Sequence, residues 1–312
     1  MSKHLFGLVV TGYGVAANNR GENDGNITTL QKLLWHGQVH TTVSAEAIRW
    51  AIRYYWQRSG LPVNRIWDDD KNDHIWQDPD WTAWADGRDD ATFIDDDVLG
   101  YMRADAAKEE GNEAEEQAEG GGRRPRAKKG TALKRRGRLE VTRAVSLTPF
   151  AGDITFNARS GEKGSTSLYG TEVHATRYQY GFALTPESLR VPARALAVLD
   201  AVAGLTEVAG NQSRFLFDFS PESLLLRWTD DMAPRFLYAF EMDENGEVRV
   251  PRVLERVRAG DIAPDELVVA GRLAESPDGQ ELKRLGATVV PGVKAGVALV
   301  QERMRKDLGI GE

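Results

Sequence analysis

The stretch Ser44–Arg58, SAEAIRWAIRYYWQR, carries the clearest structural pattern in this chain of 312 residues. Ser44 is a residue type that caps helix N-termini, and Glu46 suits the positive end of the helix dipole. Arg49 and Arg53 share one face of such a helix, which therefore either holds a polyanion or is simply solvated. The aromatic residues interleaved with these arginines are Trp50, Tyr54 and Trp56. The opposite side is expected in the core, because apolar residues recur there at helical spacing: Ile48, Ala51, Ile52 and Tyr55.

Composition limits the class of protein. The chain has 40 basic and 47 acidic residues and a net charge of -7, so the molecule as a whole is not a general polyanion binder. It contains no cysteine, which excludes disulfides and thiolate metal sites. The opening residues, MSKHLFGLVVTG, include too short an apolar run for a signal peptide or a membrane span. We expect a cytoplasmic protein, without membrane contact, that is long enough to bury a large core.

The first predicted strand is Leu5–Thr11, and a segment rich in turn formers follows it, GYGVAANNRGENDGN (12–26). The segment begins with a G-x-G-x-x-A spacing, but a dinucleotide site needs a helix to start at the second glycine. The turn formers that follow do not favour a helix start. A polar loop is the better prediction, and Asn18, Asn19 and Arg20 are candidates for contacts with phosphate or sugar.

Histidines and known catalytic motifs give no sign of an active site. His36 and His40 have a metal-ligand spacing only on a helix, and Gly37 between them disfavours a helix. We therefore expect His40 to make hydrogen bonds near the entrance of the predicted helix. The sequence has no P-loop, nucleophile elbow or zinc-protease motif. We expect no metal and no cofactor, and a binding protein rather than an enzyme.

Charge is strongly segregated between residues 61 and 138. The first part is rich in Trp and Asp, which predicts solvated acidic loops over packed aromatic rings. Residues 103–138 continue with an acidic half and then a basic half, where residues 123–138 hold nine basic residues and no acid. Such a loop is a flexible tether or an added source of phosphate contacts. The candidate basic residues are Arg123, Arg124, Lys128, Lys129, Arg135 and Arg136.

The second half alternates predicted strands and helices. Pro149–Leu168 holds a short strand and a turn-rich tip, RSGEKGSTS, which predicts a projecting hairpin. A polar, glycine-led loop, GNQSR, occupies residues 210–214. The remaining predicted elements are strands at 139–148, 171–184 and 215–219 and helices at 186–205 and 293–308.

Six segments, taken in order, resemble the backbone subunit of CRISPR surveillance complexes, in the DevR family (type I-B-like) of the RAMP superfamily. Each segment alone is weakly specific, whereas the ordered set is fairly specific and extends to about Asp243. The segments are GYGVAANNRGENDGN, VSAEAIRWAIR, DDDVLGYM, LEVTRAVSLTPF, TEVHATRYQYGFAL and GNQSRFLFDFSPE.

This resemblance implies an α+β fold, an RRM-like (ferredoxin-like) palm with large insertions that form fingers and a thumb hairpin. The palm would comprise residues 1–60 and 170–312, and the fingers residues 61–138, with the charged loop 103–138. Residues 139–169 would hold a strand and the thumb. The resemblance further implies that copies polymerise head to tail along CRISPR RNA, together with other Cascade subunits. The guide is then presented for pairing with target DNA, and each thumb interrupts it at regular intervals.

The resemblance also assigns residues. Backbone contacts to a guide need arginines, amides and hydroxyls that leave the base edges unoccupied. The implied RNA-binding residues are Asn18, Asn19, Arg20, His40, Ser44, Arg49, Arg53, Asn211, Gln212, Ser213 and Arg214. The implied thumb residues, which include an apolar wedge, are Phe150, Ile154, Phe156, Arg159 and Lys163, with Leu168 a further wedge candidate.

Three other hypotheses stay open. Related type III backbone subunits cleave target RNA through an acidic residue on the loop after the first strand, where this chain has Asp24. Another RAMP branch processes guides with a histidine, for which His40 and His174 are the candidates. A structural module without nucleic acid is the third. The DevR family is not expected to cleave, so we favour RNA binding without catalysis.

Overall fold

The computed structural model describes residues 2–85, 87–102, 134–158, 168–210 and 215–311. Within these ranges the helices are α1 (Ala45–Arg58), α2 (Thr82–Ala85), α3 (Ile94–Val98), α4 (Arg194–Ala203), α5 (Pro251–Arg258), α6 (Pro277–Leu285) and α7 (Val293–Leu308). The strands of the first half are β1 (His4–Thr11), β2 (Gly14–Ala16), β3 (Arg20–Asp24), β4 (Ile27–Leu30), β5 (Lys32–Trp35), β6 (Gln38–Val43), β7 (Arg65–Asp68), β8 (Asp73–Trp76), β9 (Gly100–Met102), β10 (Lys134–Arg136), β11 (Glu140–Val141) and β12 (Ala144–Ser146). Those of the second half are β13 (Ile154–Ala158), β14 (Leu168–Glu172), β15 (His174–Thr176), β16 (Tyr178–Leu184), β17 (Pro221–Thr229), β18 (Glu241–Met242), β19 (Val248–Arg249), β20 (Leu267–Gly271) and β21 (Thr288–Val290).

A nine-stranded sheet, which we call the central sheet, organises the molecule. Its order is β21-β20-β17-β1-β16-β12-β6-β5, with β11 pairing to β16 beside β12. β1 lies in the middle and pairs antiparallel with both β16 and β17, and β12 pairs antiparallel with β16. In the chain, α1 lies between β1 and β12, and α4 lies between β16 and β17. The fold is therefore α+β, as predicted.

Both faces of the central sheet are buried. On one face, Leu5 and Val9 of β1 join a core that also contains residues of α1, α4 and α7. On the other, Phe6, Leu8 and Val10 pack with side chains from residues 236–287. This double burial explains why β1 reads as a continuous apolar run rather than an alternating one.

Helix α1 begins where the sequence predicts. Ser44 caps it, since its hydroxyl accepts a hydrogen bond of 3.2 Å from the amide of Ala47. Ile48 and Ile52 lie in the core, as expected. Trp56, which we had placed beside the arginines, is also completely buried, and its indole donates to the carbonyl of Ala197. The core-facing stripe of α1 is therefore wider than the aliphatic residues alone indicate.

Several other sequence-based assignments need correction. Residues 20–24, predicted as loop, pair with residues 27–30 in the hairpin β3–β4, and the segment before α1 forms β5 and β6. The predicted strand 171–184 consists of three strands, because β14 pairs with β4 and β15 with β2 before β16 enters the central sheet. The predicted helix 186–205 is helical as α4 only from Arg194, and residues 215–219 form no strand. Helix α7 has the predicted bounds.

The described part of the first insertion, residues 61–138, folds as the hairpins β7–β8 and β9–β10 with α2 and α3 between them. The sequence predicts that its acidic residues are solvated, but some of them are buried. Asp95, Asp96 and Asp97 are 2%, 3% and 0% exposed. We call these three residues the aspartate joint. The expectation of solvated acidic loops was wrong here, because the carboxylates have donors from segments far away in the chain.

Asp97 shows how the aspartate joint is satisfied. One of its oxygens accepts from Arg135 at 2.7 Å and from the amide of Arg190 at 2.9 Å. The other accepts from Arg194 of α4 at 2.9 Å and from the amide of Val191 at 3.0 Å. Asp97 thus links β10, α3 and α4 through four donors.

The second insertion, residues 149–173, is described except for residues 159–167, and we call it the arm. Its strands β13 and β14 pair antiparallel, with Phe156 opposite Gly170. β14 also pairs parallel with β4, so that the arm and the hairpin β3–β4 make a second sheet of order β13-β14-β4-β3. The short strand predicted in this segment is present as β13, and it belongs to a sheet rather than to a single hairpin. The projection of its tip stays a prediction, because the tip lies outside the described residues. Among the described helices, none is both long and apolar enough to cross a membrane.

Candidate nucleic-acid interface

Three segments from distant parts of the chain meet at one end of the central sheet. The amide of Asn19 donates to the carbonyl of Ala209 at 3.0 Å, and the side-chain amide of Asn18 donates to the carbonyl of Val208. The side-chain amide of Asn19 also donates to the carbonyl of Thr42 at 3.1 Å, two residues before the cap of α1. The structure therefore brings together the asparagine segment, the residues just before α1, and residues 208–209, which precede the glycine-led loop.

Asn18 and Asn19 hold these segments in place rather than projecting from them. They are 1% and 9% exposed, and their amide nitrogens bond to protein carbonyls. Asn19 has a φ of 60°, a left-handed conformation that asparagine adopts more readily than most residues. Asn18 Oδ1 is buried without a partner among the described residues. The side chain of Arg20, the next residue, is exposed. Direct RNA contact by these residues stays a prediction.

His40 lies inside the protein, below this end of the sheet. It is 6% exposed, and its Nδ1 lies 2.7 Å from the carbonyl oxygen of Ser146. Ser44 is half-buried and is used as the cap of α1. Both residues thus have structural partners beside the meeting point, and their contact with RNA also stays a prediction.

Arg49 and Arg53 point toward the first insertion. Arg49 donates to the carbonyls of Leu139, at 2.8 Å, and Leu99. Arg53 forms an ion pair of 3.2 Å with Asp95 of the aspartate joint. Burial lowers the pKa of both guanidinium groups. In this structure the basic side of α1 therefore bonds to the first insertion and to Leu139, and a role in holding the guide stays a prediction.

The same arginines line a cavity of about 560 Å³ between α1 and the first insertion. Its wall holds three acidic residues, Glu46, Asp95 and Asp96, against four guanidinium groups. Burial and the neighbouring carboxylate of Asp95 raise the pKa of Asp96 to about 7. The positive charge is thus not fully balanced at neutral pH. The four arginines are Arg49, Arg53, Arg65 and Arg135.

Aromatic rings line a larger groove of about 940 Å³ on another side of α1. The rings of Trp50 and Tyr54 stack at 5.1 Å, and Trp67 of β7 meets Trp50 edge-on at 5.7 Å. The guanidinium of Arg58 lies over Tyr54. The opposite wall is the loop 204–210, which leads into the predicted polar loop. Such stacked rings can receive nucleotide bases without regard to sequence.

The arm carries exposed apolar side chains on one face. Ile154, Phe156 and Leu168 are 38%, 73% and 60% exposed. The register places Phe156 beside Gly170, and Leu168 opposite Ala158, so these residues share a face. Phe150, also a wedge candidate, instead packs at the root of the arm, with its ring edge-on to His174 at 5.5 Å and Lys32 above it.

The basic loop and the polar loop are only partly described. Arg135 bonds to Asp97 and lies 4.2 Å above the ring of Trp84, so it is a structural part of the joint. Arg136 pairs with Glu140 on the surface. The predictions for Arg123, Arg124, Lys128, Lys129, Arg159, Lys163, Asn211, Gln212, Ser213 and Arg214 lie outside the described residues.

The candidate residues of the two alternative activities lie in different surroundings. Asp24 is exposed at the end of β3. Within the described ranges, no three histidine or acidic side chains converge in the way metal ligands do. His174 is 3% exposed and bonds to protein groups. Cleavage by either residue stays a prediction without further support.

Arg143 is a candidate that sequence reasoning missed. It is exposed between β11 and β12, and it donates to Gln31 at 3.1 Å and to the hydroxyl of Thr42 at 3.2 Å. It therefore lies beside the contact between Asn19 and Thr42. In the alternation of LEVTRAVSLT, Arg143 falls in the apolar set with Val141 and Val145, so the pattern predicts a buried position and gives no sign of an exposed arginine.

Comparison with known proteins supplies further evidence. A protein of Myxococcus xanthus (strain DK1622), named "CRISPR-associated protein Cas7/Cst2/DevR", is 48% identical over 314 residues, which cover 97% of this chain and 98% of that protein. No family model matches the chain. A chain from a "CRISPR RNA-guided surveillance complex, pre-nicking" aligns with a TM-score of 0.55 at 11% identity, over 96% of this chain and 99% of that one. A second, from a "CRISPR RNA-guided surveillance complex", has a TM-score of 0.53 at 12% identity, over 95% and 99%. These two likenesses are of fold.

Proposed function

Because the chain belongs to the CRISPR-associated Cas7/Cst2/DevR family, we propose that it is the guide-binding backbone subunit of a type I CRISPR surveillance (Cascade) complex. The observation that carries this proposal is an identity of 48% across nearly the whole of both chains. The fold likeness to chains of RNA-guided complexes supports it. Copies would polymerise head to tail along CRISPR RNA, together with other Cascade subunits, and present the guide to target DNA in the cytoplasm.

The strand order supports an RRM-like palm. The order β17-β1-β16-β12, with α1 after β1 and α4 after β16, matches a β-α-β-β-α-β ferredoxin-like unit. RRM proteins commonly stack bases on the open face of this sheet. Here residues 236–287 fill that face. We therefore place the guide along the end of the sheet, where residues 18–20, 42–44 and 205–210 meet.

The chemistry of that end suits a nucleic-acid backbone. The N-terminus of α1 favours phosphate through its dipole and its amides. Arg20 and Arg143 add exposed guanidinium groups beside it. Asn18 and Asn19 set the spacing between the segments, and the adjoining aromatic groove receives bases. This arrangement binds backbone and shape while base edges stay accessible for pairing.

The arm would act as the thumb. Its exposed Phe156 and Leu168 are apolar side chains of the kind that wedge between stacked bases. A wedge repeated in each copy would interrupt the guide at regular intervals. We assign no chemical step to the protein, because guide binding needs none.

The proposal is tested by expressing the full chain with a CRISPR transcript and purifying it. We expect a high ratio of absorbance at about 260 to about 280 nm, and RNA of regular length after nuclease digestion. Arg143→Ala should weaken guide binding two- to tenfold and reduce the salt slope by about 1. Arg256→Ala, on the exposed side of α5, is the matched control and should change neither quantity. A nucleic-acid-free protein that binds no guide transcript would contradict the proposal.

A further inference from the structure

A closed network of hydrogen bonds ties both roots of the arm to the central sheet, with His174 at its centre. Its Nδ1 lies 2.7 Å from the hydroxyl of Thr41 on β6, which lies 2.9 Å from the hydroxyl of Tyr178 on β16. Its Nε2 lies 3.2 Å from the carbonyl oxygen of Pro149, at the other root. The hydroxyl of Thr148 also lies 3.2 Å from Nε2 and donates to Thr176. One imidazole therefore contacts β6 and both roots of the arm.

The partners determine where the hydrogen of the ring lies. The carbonyl of Pro149 can only accept, so Nε2 carries the hydrogen and donates it. Nδ1 then accepts from the hydroxyl of Thr41, and that oxygen accepts from the hydroxyl of Tyr178. Burial raises the pKa of Tyr178 to about 12, which keeps this phenol a donor. Each hydrogen of this series has an acceptor when His174 is neutral.

We propose that neutral His174 is the positioning residue that sets the arm on the central sheet, and that its protonation releases the arm. The inference deepens the proposed function, on which it rests for the meaning of the arm. Protonation would then change the orientation and the rigidity of the arm, the segment that interrupts the guide.

Protonation would disrupt the network in two ways. A hydrogen on Nδ1 leaves the hydroxyl of Thr41 without its acceptor. It also places a positive charge at a residue that is 3% exposed. The titratable and charged groups around it offer little compensation: His40 on β6, exposed Asp153 before β13, Tyr178 on β16, and Lys32 and Glu172, which pair with each other.

Burial lowers the pKa of His174, in agreement with this geometry. The stabilising contribution of the neutral ring is therefore complete above about pH 6.5, the ordinary histidine value, and is lost as the pH falls below it.

Hydrogen exchange on the full chain measures the release directly. The amide of Val173 donates to Asp153 and that of Leu147 to Arg177, so both report on the roots of the arm. From about pH 7.5 to about pH 5.5 we expect their protection factors to fall roughly tenfold relative to Leu225 in β17. If the protection factors of the arm amides and of Leu225 change equally with pH, the proposal is overturned. This measurement needs no variant.

The variant His174→Gln keeps a neutral donor and cannot be protonated. It should abolish the pH response of the arm, whereas His36→Gln, at an exposed histidine, should keep it. A response that persists in a folded His174→Gln protein would overturn the assignment to His174.

Guide affinity separates this inference from the proposed function. We expect the unmodified chain to lose guide affinity severalfold at about pH 5.5, and His174→Gln to lose less than about twofold. If exchange at the arm responds to pH and guide affinity does not, the positioning role is supported and the arm is not a guide-contacting thumb.

Discussion

The two insertions are attached to the neighbouring elements by different chemistry. The first is held by the aspartate joint, where Arg53 of α1 pairs with Asp95, and Arg135 and Arg194 of α4 pair with Asp97. The second, the arm, is held at its roots mainly by uncharged groups, the imidazole of His174 and hydroxyls around it, with one ion pair between Lys32 of β5 and Glu172 of β14. Leaving a buried carboxylate without its donors costs several kcal/mol of folding free energy, about 3–5 kcal/mol. The ion pairs of the first attachment are therefore not broken one at a time. Neutral hydrogen bonds cost less to exchange, so the second attachment can be adjusted.

The two attachments should also respond to pH in opposite directions. Asp96, whose raised pKa favours the protonated form, bonds to Asn64 and Trp81 within the first insertion, so raising the pH destabilises that insertion. His174, with a lowered pKa, favours the neutral form, so lowering the pH weakens the second attachment. The first contribution is complete only below about pH 4 and the second only above about pH 6.5, so no single pH gives both in full.

The largest expected effect tests the charged attachment. Asp97→Ala removes the shared acceptor of Arg135, Arg194 and two backbone amides. We expect the free energy of unfolding in urea to fall by about 3–5 kcal/mol. The matched control is Asp70→Ala in the exposed turn between β7 and β8, which should change it by less than about 0.5 kcal/mol. A small loss in Asp97→Ala would mean that the aspartate joint does not hold the first insertion.

A smaller effect is expected on the arm, and in binding rather than in stability. Phe156 is 73% exposed, so Phe156→Ser should leave the unfolding free energy within about 0.5 kcal/mol. Guide binding should weaken by about 1–3 kcal/mol, the usual value of one aromatic contact with a base. Met232→Ser, at an apolar residue that is 82% exposed elsewhere, should leave guide binding unchanged. A loss of stability instead of binding would make the arm a structural element like the first insertion.

The smallest expected effect is the pH dependence of the free energy of unfolding that Asp96 contributes. The pKa of Asp96 is about 7 in the folded protein and 3.8 in a model compound, so the folded state retains the proton longer. The stability linked to this proton is complete below about pH 4 and is lost as the pH rises through about 7. We therefore expect the unmodified chain to lose roughly 1–2 kcal/mol relative to Asp96→Asn between about pH 5 and about pH 8. Asp70→Asn, compared in the same way, should give a constant difference. A constant difference for Asp96→Asn as well would show that its carboxyl stays ionised throughout.

Local signals in the sequence were sufficient for some elements. Helix α1 has its cap, its charged first turn and its apolar stripe within fifteen residues, Ser44–Arg58. Helix α7 has its predicted bounds, Val293–Leu308, although it has no side-chain cap and no acidic residue in its first turn. The arm was predicted because the turn formers at its tip separate two alternating segments. The family followed from the ordered set of segments, and the relative from Myxococcus xanthus confirms it.

The parts that could not be predicted depend on distant partners. A run of aspartates is usually solvated, and only Arg135, 38 residues from Asp97, and Arg194, 97 residues away, explain its burial. Two arginines on one helix face do not reveal whether their acceptor is RNA or, as for Arg49, a carbonyl of the same chain. Alternation over residues 171–184 likewise predicts extended backbone. It does not predict that β14, β15 and β16 pair with three different strands, β4, β2 and β1.

The position of β1 in the sheet has a consequence for synthesis of the protein. β1 comprises residues 4–11, but its two neighbours are residues 178–184 and 221–229. A ribosome that adds about 5–20 residues per second needs on the order of tens of seconds to deliver both partners. During that time the apolar LFGLVV segment has neither neighbour and is open to wrong pairing. Folding of the nascent chain should therefore be slow and depend on chaperones, and truncation before residue 229 should yield aggregates rather than a stable fragment.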